Sequence, residues 1–416
     1  ALQFPPGYTR RLGLQDTLDR VNKLRSDLEI RFHREATVLL GPLKGVSQML
    51  YQELHGETGV EEGVFRNPYV VGKPIRLNRA DLFKGRQELG ERLANMLRSR
   101  GNPTLILHGP RRMGKTSFLL QLPRLLPGEF VPVFLDMQEG ASESEASFTY
   151  SLAMAIYKQL RTQFSMRRPE MDDHAAHPFA ALNVWLDEMM PDLGSRTLFL
   201  TIDEFESLGL AIARGPLTER VLDYLRHLMQ HYDNLSLLFA GVQTIEALGP
   251  RPDSYFISAY PIEISYLHPK EAEALIRTPD PSAGKMPKYD DGVVRHLLDL
   301  TRCQPCLIQA ICFEIIELAG RNGLAEIHQD TLDEAVTQVL RMTGHFYFEN
   351  IWKDAGEEGR KVLCQLAGGP QQLDEQEIGE TVMHGLLRRH VIHKRDDRTY
   401  EIEIPLVQQW MAQRSP

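Results

Sequence analysis

The chain has 416 residues, room for two or three domains, and a formal net charge of −9. Hydrophobic residues make up 42% and charged residues 25%, the balance of a globular protein, which excludes a disordered or collagen-like chain. No apolar run approaches the roughly 18 residues of a membrane span, and the acidic balance argues against a chain built to coat nucleic acid, although one local basic patch fits within it.

The start, Ala1-Leu2-Gln3-Phe4-Pro5-Pro6, lacks Met and carries no signal-peptide pattern, so a trimmed or internal piece of a longer protein is expected. Residues 9–56 mix apolar and charged positions at helical spacing, broken near Gly41-Pro42. They read as two helices packed on a core, or as a coiled stalk. Residues 57–80 hold Gly, Pro and Asn and read as an extended linker, and 81–100 as a turn and an amphipathic helix.

Thr104–His108 is an apolar strand, and Gly109-Pro110-Arg111-Arg112-Met113-Gly114-Lys115-Thr116 fits G-x-x-x-x-G-K-[ST], the phosphate loop. The two glycines let successive backbone N–H groups turn toward phosphate oxygens. Thr116 and Ser117 open a helix, whose N-terminus favours anions. Lys115 suits the β- and γ-phosphates of ATP or ADP, and the Thr116 hydroxyl suits Mg²⁺. Arg111 and Arg112 either add charge over the triphosphate or face solvent; solvent is favoured for at least one.

Thr197–Asp203 is apolar and partly β-branched, as in a strand buried on both faces, and ends in Asp203-Glu204. Acids at the carboxyl edge of such a sheet lie where α/β folds bind ligands. Asp203 is the expected Mg²⁺ carboxylate. Glu204 is the expected general base that polarises water.

Further strands are expected at 130–136, 235–241 and 261–267, alternating with helices such as 145–164 and 216–231. That alternation predicts parallel crossovers: an α/β P-loop NTPase three-layer sandwich. After 268 the strands stop. Helices at 269–277, 290–301, 304–320 and 329–343 predict a small all-α lid. Residues 355–414 alternate short helices with a strand pair around Lys394–Arg398, the order of a winged helix, with 376–389 as its candidate recognition helix. The expected domains are an N-terminal helical segment (1–64), an ATPase core (65–268), a lid (269–350) and a winged-helix domain (351–416). Cys303-x-x-Cys306 lacks a second Cys or His pair at metal-binding spacing, so packing within the lid accounts for it. Four Cys in so long a chain make no disulfide framework, which points to a reducing cytoplasm.

Asn67-Pro68-Tyr69-Val70-Val71-Gly72, Phe83-Lys84-Gly85-Arg86, the phosphate loop through Ser117 and Asp203-Glu204-Phe205-Glu206 together resemble the STAND class of P-loop ATPases, in the branch close to the replication-initiator AAA+ ATPases. The resemblance covers about 65–416. It implies that Val70, Val71, Phe83 and Arg86 line an adenine pocket. It implies that Gln243, past the fourth strand, senses the γ-phosphate, and that Arg251 reaches a neighbouring subunit as an arginine finger. The lid signature of the family is Gly-x-Pro. Here it reads Cys303-Gln304-Pro305, so Pro305 is kept as a nucleotide contact and the Gly is not.

Two functions follow. The first is an ATP-hydrolysing switch, whose nucleotide state controls conformation and homo-oligomerisation in signalling or defence, with effector or sensor domains outside this chain and the winged helix as an internal latch. The second is a DNA-associated AAA+ ATPase, an initiator or transposition-type factor. From 360 to 416 there are eight Lys/Arg and eight Asp/Glu, no electrostatic footprint for DNA, which favours the switch.

Overall fold

The computed structural model describes residues 67–99, 103–137, 143–242, 259–280, 286–343 and 345–414. Backbone contacts group Phe65–Pro416 as one unit. The helices expected in 9–56, and both Gln243 and Arg251, lie outside the described residues.

The sheet has five parallel strands in the order β2-β3-β4-β1-β5: β1 Thr104–His108, β2 Phe130–Asp136, β3 Thr197–Asp203, β4 Leu235–Gly241 and β5 Tyr260–Glu263. Period-two alternation divides β1 to β4 between two apolar layers, whereas edge strand β5 buries only Ile262. Leu198, Leu200 and Ile202 of β3 pack with Leu235, Leu237 and Phe239 of β4 against helices Glu145–Leu160, Pro178–Met189 and Arg220–His231. Phe199, Leu238 and Ala240 face the other way, onto helices α1 (Gln87–Ser99) and α2 (Lys115–Leu125). This is the P-loop NTPase fold, three layers deep. The strand carrying the phosphate loop and the strand ending in Asp203 are separated by β4.

Four boundaries differ from expectation. β5 stops at Glu263, where its partner β1 ends at His108, and the carbonyls of Ser265 and Tyr266 beyond it accept from the Arg86 guanidinium. The helix expected at 145–164 ends at Leu160. Residues 206–214 form a helix of their own, and the one expected at 216–231 starts at Arg220. The lid is not wholly α: Lys288–Tyr289 and Glu326–Ile327 form a two-residue parallel pair.

A third hydrophobic core unites helices α3 (Pro269–Arg277), α4 (Asp291–Thr301), α5 (Pro305–Asn322) and α6 (Gln329–Gln338) with the C-terminal elements. Those are α7 (His345–Asp354), α8 (Gly356–Leu366), α9 (Glu375–Ile378), α10 (Glu380–Arg388), the antiparallel hairpin Ile392–Lys394 with Tyr400–Ile402, and Pro405–Ala412. The expected recognition helix is two helices. Gly379, at φ 93, breaks it in a conformation that L side chains rarely adopt. Just before that stretch Glu375, itself exposed, accepts from Lys394 of the hairpin at 2.8 Å and from the Tyr400 hydroxyl.

The stretch 67–76 is a strap and not a loose linker. Tyr69 and Ile75 are each 4% exposed, and Leu82 follows them into the third core. The Tyr69 hydroxyl donates to the Ile276 carbonyl at 2.8 Å, and the Asn67 amide to the Phe313 carbonyl at 3.0 Å.

Candidate nucleotide-binding site

Strand β1 delivers the chain to Gly109, which passes so close to the chain just beyond β5 that an added Cβ would lie 2.1 Å from the Ile264 carbonyl oxygen. No side chain fits there. The loop then turns through Arg112 (φ 65) and Gly114 (φ 91) into α2. Lys115 is buried, and its ammonium donates to the carbonyls of Gly109 at 2.8 Å and Pro110 at 3.0 Å. Burial holds its pKa below the ordinary lysine range, and the carboxylates of Glu206, Asp203 and Glu204 work against that shift.

Parallel pairing of β2 with β3 sets Asp136 opposite Asp203 at the carboxyl edge. Asp203 is 2% exposed and accepts from the Thr116 hydroxyl at 2.6 Å. Burial pushes its carboxyl up, opposed by that hydrogen bond. Glu204 follows in the left-handed region (φ 52), which turns its half-buried side chain out of the strand line into the cleft. Its carboxyl is also raised, first by burial and then by Glu206 and Asp203. Glu206 was not singled out as a site residue in the sequence. Its carboxylate accepts from the Val242 N–H at 3.1 Å and so ties the end of β4 to the end of β3.

A cavity of about 520 Å³ opens above these groups. Pro110 through Ser117, Asp203 and Glu204 line it, as do Val70, Phe83, Arg86 and Pro305 from the resemblance. Val71 does not; it packs on the third core. Arg86 spends its guanidinium on the Ser265 and Tyr266 carbonyls. The C-terminal elements close the far side with Asp354, Arg389 and His390. Arg111 Nε is 3.5 Å from the Asp354 carboxylate, and His390 Nε2 is 3.7 Å from that of Glu263. Both Arg111 and Arg112 are exposed.

Gln304 joins the lid to the loop. It is fully buried, its carbonyl caps α5 through the Leu307 N–H at 2.7 Å, and its amide reaches the Arg112 carbonyl at 3.4 Å. Cys303, where the resembled signature carries Gly, has φ 58. The position keeps the backbone that glycine favours although the residue has changed. Cys303 and Cys312 pack in the third core and Cys306 lines the cavity, with burial pushing all three thiols up.

The model of the AAA domain matches residues 97–248. The chain is similar to a Walker-type ATPase of Pyrococcus abyssi, with a TM-score of 0.60 at 14% identity, over 83% of this chain and 99% of that one. It is also similar to the ORC2 protein of Aeropyrum pernix in its ADPNP-ADP complexes, with a TM-score of 0.52 at 10% identity, over 83% of this chain and 96% of that one. Likeness at these identities is likeness of fold. No curated protein sequence matches. No helix among the described residues is long and apolar enough to cross a membrane.

Proposed function

We propose that the chain is an ATP-binding and ATP-hydrolysing switch of the STAND/AAA+ type, whose nucleotide state sets its conformation and self-assembly. One observation carries this reading. A single cavity is bounded by the phosphate loop, by the lid at Pro305 and by the C-terminal residues Asp354, Arg389 and His390. A nucleotide held there touches all three, so its state bears on how they are held together.

The chemistry follows from the donors present. Loop N–H groups and Lys115 meet the phosphates. Thr116 Oγ1 and the Asp203 carboxylate, two oxygen donors 2.6 Å apart, suit Mg²⁺, which when bound neutralises charge on the phosphate oxygens. Glu204, with its raised carboxyl, accepts the proton of the attacking water. Arg111 gives the γ-phosphate a lever: a third phosphate beside its guanidinium competes with Asp354 for it. A ligand shifts two states only by its differential affinity for them, and carrying 1:99 to 99:1 takes about 10⁴-fold. An exposed ion pair supplies at most about 1 kcal/mol of that. The remainder falls to direct contacts across the cavity and to a neighbouring subunit, where Arg251 is the proposed finger.

The run of helices and hairpin from 356 to 412 supports a second reading, a DNA-associated ATPase whose winged helix rests on DNA. Two of its hairpin cations are already engaged, Lys394 by Glu375 and Arg395 by Glu401, each at 2.8 Å, which favours the switch. Hydrogen exchange tests the proposal. ADP is expected to slow exchange both in 109–117 and in 386–391. Protection confined to the core would contradict it.

A further inference from the structure

The cavity has a polar end at the phosphate loop and an apolar end walled by Val70, Leu82, Phe83, Leu275 and Pro305. The strap holds the apolar end beside the phosphate-binding helix: the Ile75 N–H donates to Ser117 Oγ at 3.0 Å, and the Gln121 amide donates to the Ile75 carbonyl at 3.1 Å.

One buried polar side chain stands at that apolar end. Gln309 is 8% exposed, one helical turn past Pro305 on the same face of α5, a helix otherwise buried through Leu307, Ile308, Ala310 and Ile311 on its other faces. An amide in such surroundings is unfavourable unless its groups are used. Its carbonyl is used, accepting the Val70 N–H at 3.4 Å. Its NH₂ donates to no protein acceptor among the described residues, and Gln309 lines the cavity. Apolar walls with a donor of fixed direction match a heteroaromatic ring that presents an acceptor in its plane.

We propose that Gln309 reads the base of the bound nucleotide, its amide NH₂ donating to a ring nitrogen of adenine. This rests on the nucleotide-switch reading above. The Val70 N–H is the positioning group: it occupies the Gln309 carbonyl and so turns the donor, not the acceptor, into the cavity. The residue would then couple base occupancy to the contact between strap and lid.

Calorimetric titration of ADP and of its 1-deaza, 3-deaza and 7-deaza analogues into the whole chain tests this. Wild type is expected to bind one analogue three- to tenfold more weakly than ADP, the effect of one neutral hydrogen bond. Gln309→Leu should lose the same factor for ADP and no longer distinguish that analogue. Gln309→Glu keeps an acceptor for Val70, lacks the donors, and should behave alike. Full ADP affinity in Gln309→Leu would overturn the proposal. So would a loss shared equally by ADP and every analogue, which marks packing alone. Wild-type protein that binds no ADP would sink the nucleotide reading, and this one with it.

Discussion

Asp203 is a charge placed where the fold disfavours it, and replacing it separates stability from activity. Its side chain is 2% exposed, and burial raises its pKa against the opposing pull of Thr116 and Lys115. A folded-state pKa above the unfolded value means that the native state binds more protons across that window. Stability therefore falls as pH rises from the ordinary carboxylate range, about 4, through the raised folded value, and stays reduced at neutral pH. Asp203→Asn removes the charge and keeps an oxygen to accept from Thr116. Lys115 retains Glu206, the largest of the charges acting on it. The expected gain is on the order of 1 kcal/mol at neutral pH, the ordinary size of a single-site effect, or about 1–2 °C in Tm for a chain of this length. Hydrolysis should meanwhile be lost with the metal carboxylate. Scanning calorimetry of nucleotide-free protein with a chelator, at pH 5 and pH 7.5, reads the difference. The gain should be larger at pH 7.5. A variant that melts below wild type at both pH values by the same margin would refute the burial argument.

Lys115→Ala should abolish ADP binding in a calorimetric titration; undiminished affinity would remove the phosphate loop from the site. Glu204→Gln should retain ATP and lose at least about tenfold in steady-state turnover, general bases contributing about 10²–10⁴. Because a protonated carboxyl accepts no proton, wild-type turnover should fall on acidification at a pH above the ordinary Glu range, in line with the raised Glu204 carboxyl. The whole chain should show no nanomolar duplex DNA binding by fluorescence anisotropy at physiological salt. Nanomolar binding with a steep salt slope would move the assignment to the DNA-associated reading. The whole chain is the right object, because the C-terminal helices share one core with the lid.

The parts of the site carried by local sequence were legible. A strand, a glycine turn and a helix cap lie within 16 residues of each other at 105–120, and β3 announces itself by an unbroken apolar run ending in acids. What escaped was fixed by long-range contact. The strap looks like a linker because Pro, Gly and Asn break local pattern, yet Tyr69 bonds a carbonyl 207 positions away. The break at Gly379 was signalled by the glycine itself, set inside an otherwise helical pattern. Gln309 had a weaker signal, a lone amide on an apolar helix. The meetings of Arg111 with Asp354 and of His390 with Glu263 had none, since nothing in the sequence tells which surface charges fold over the loop.

The most direct measurement is the mass in solution of Glu204→Gln by light scattering after chromatography, with Mg²⁺ and either ATP or ADP. This variant is expected to hold ATP without consuming it, so the γ-phosphate is the one difference between the samples. The switch predicts a larger species with ATP than with ADP. The same mass in both, together with hydrogen exchange that does not distinguish ATP from ADP at 386–391, would contradict it.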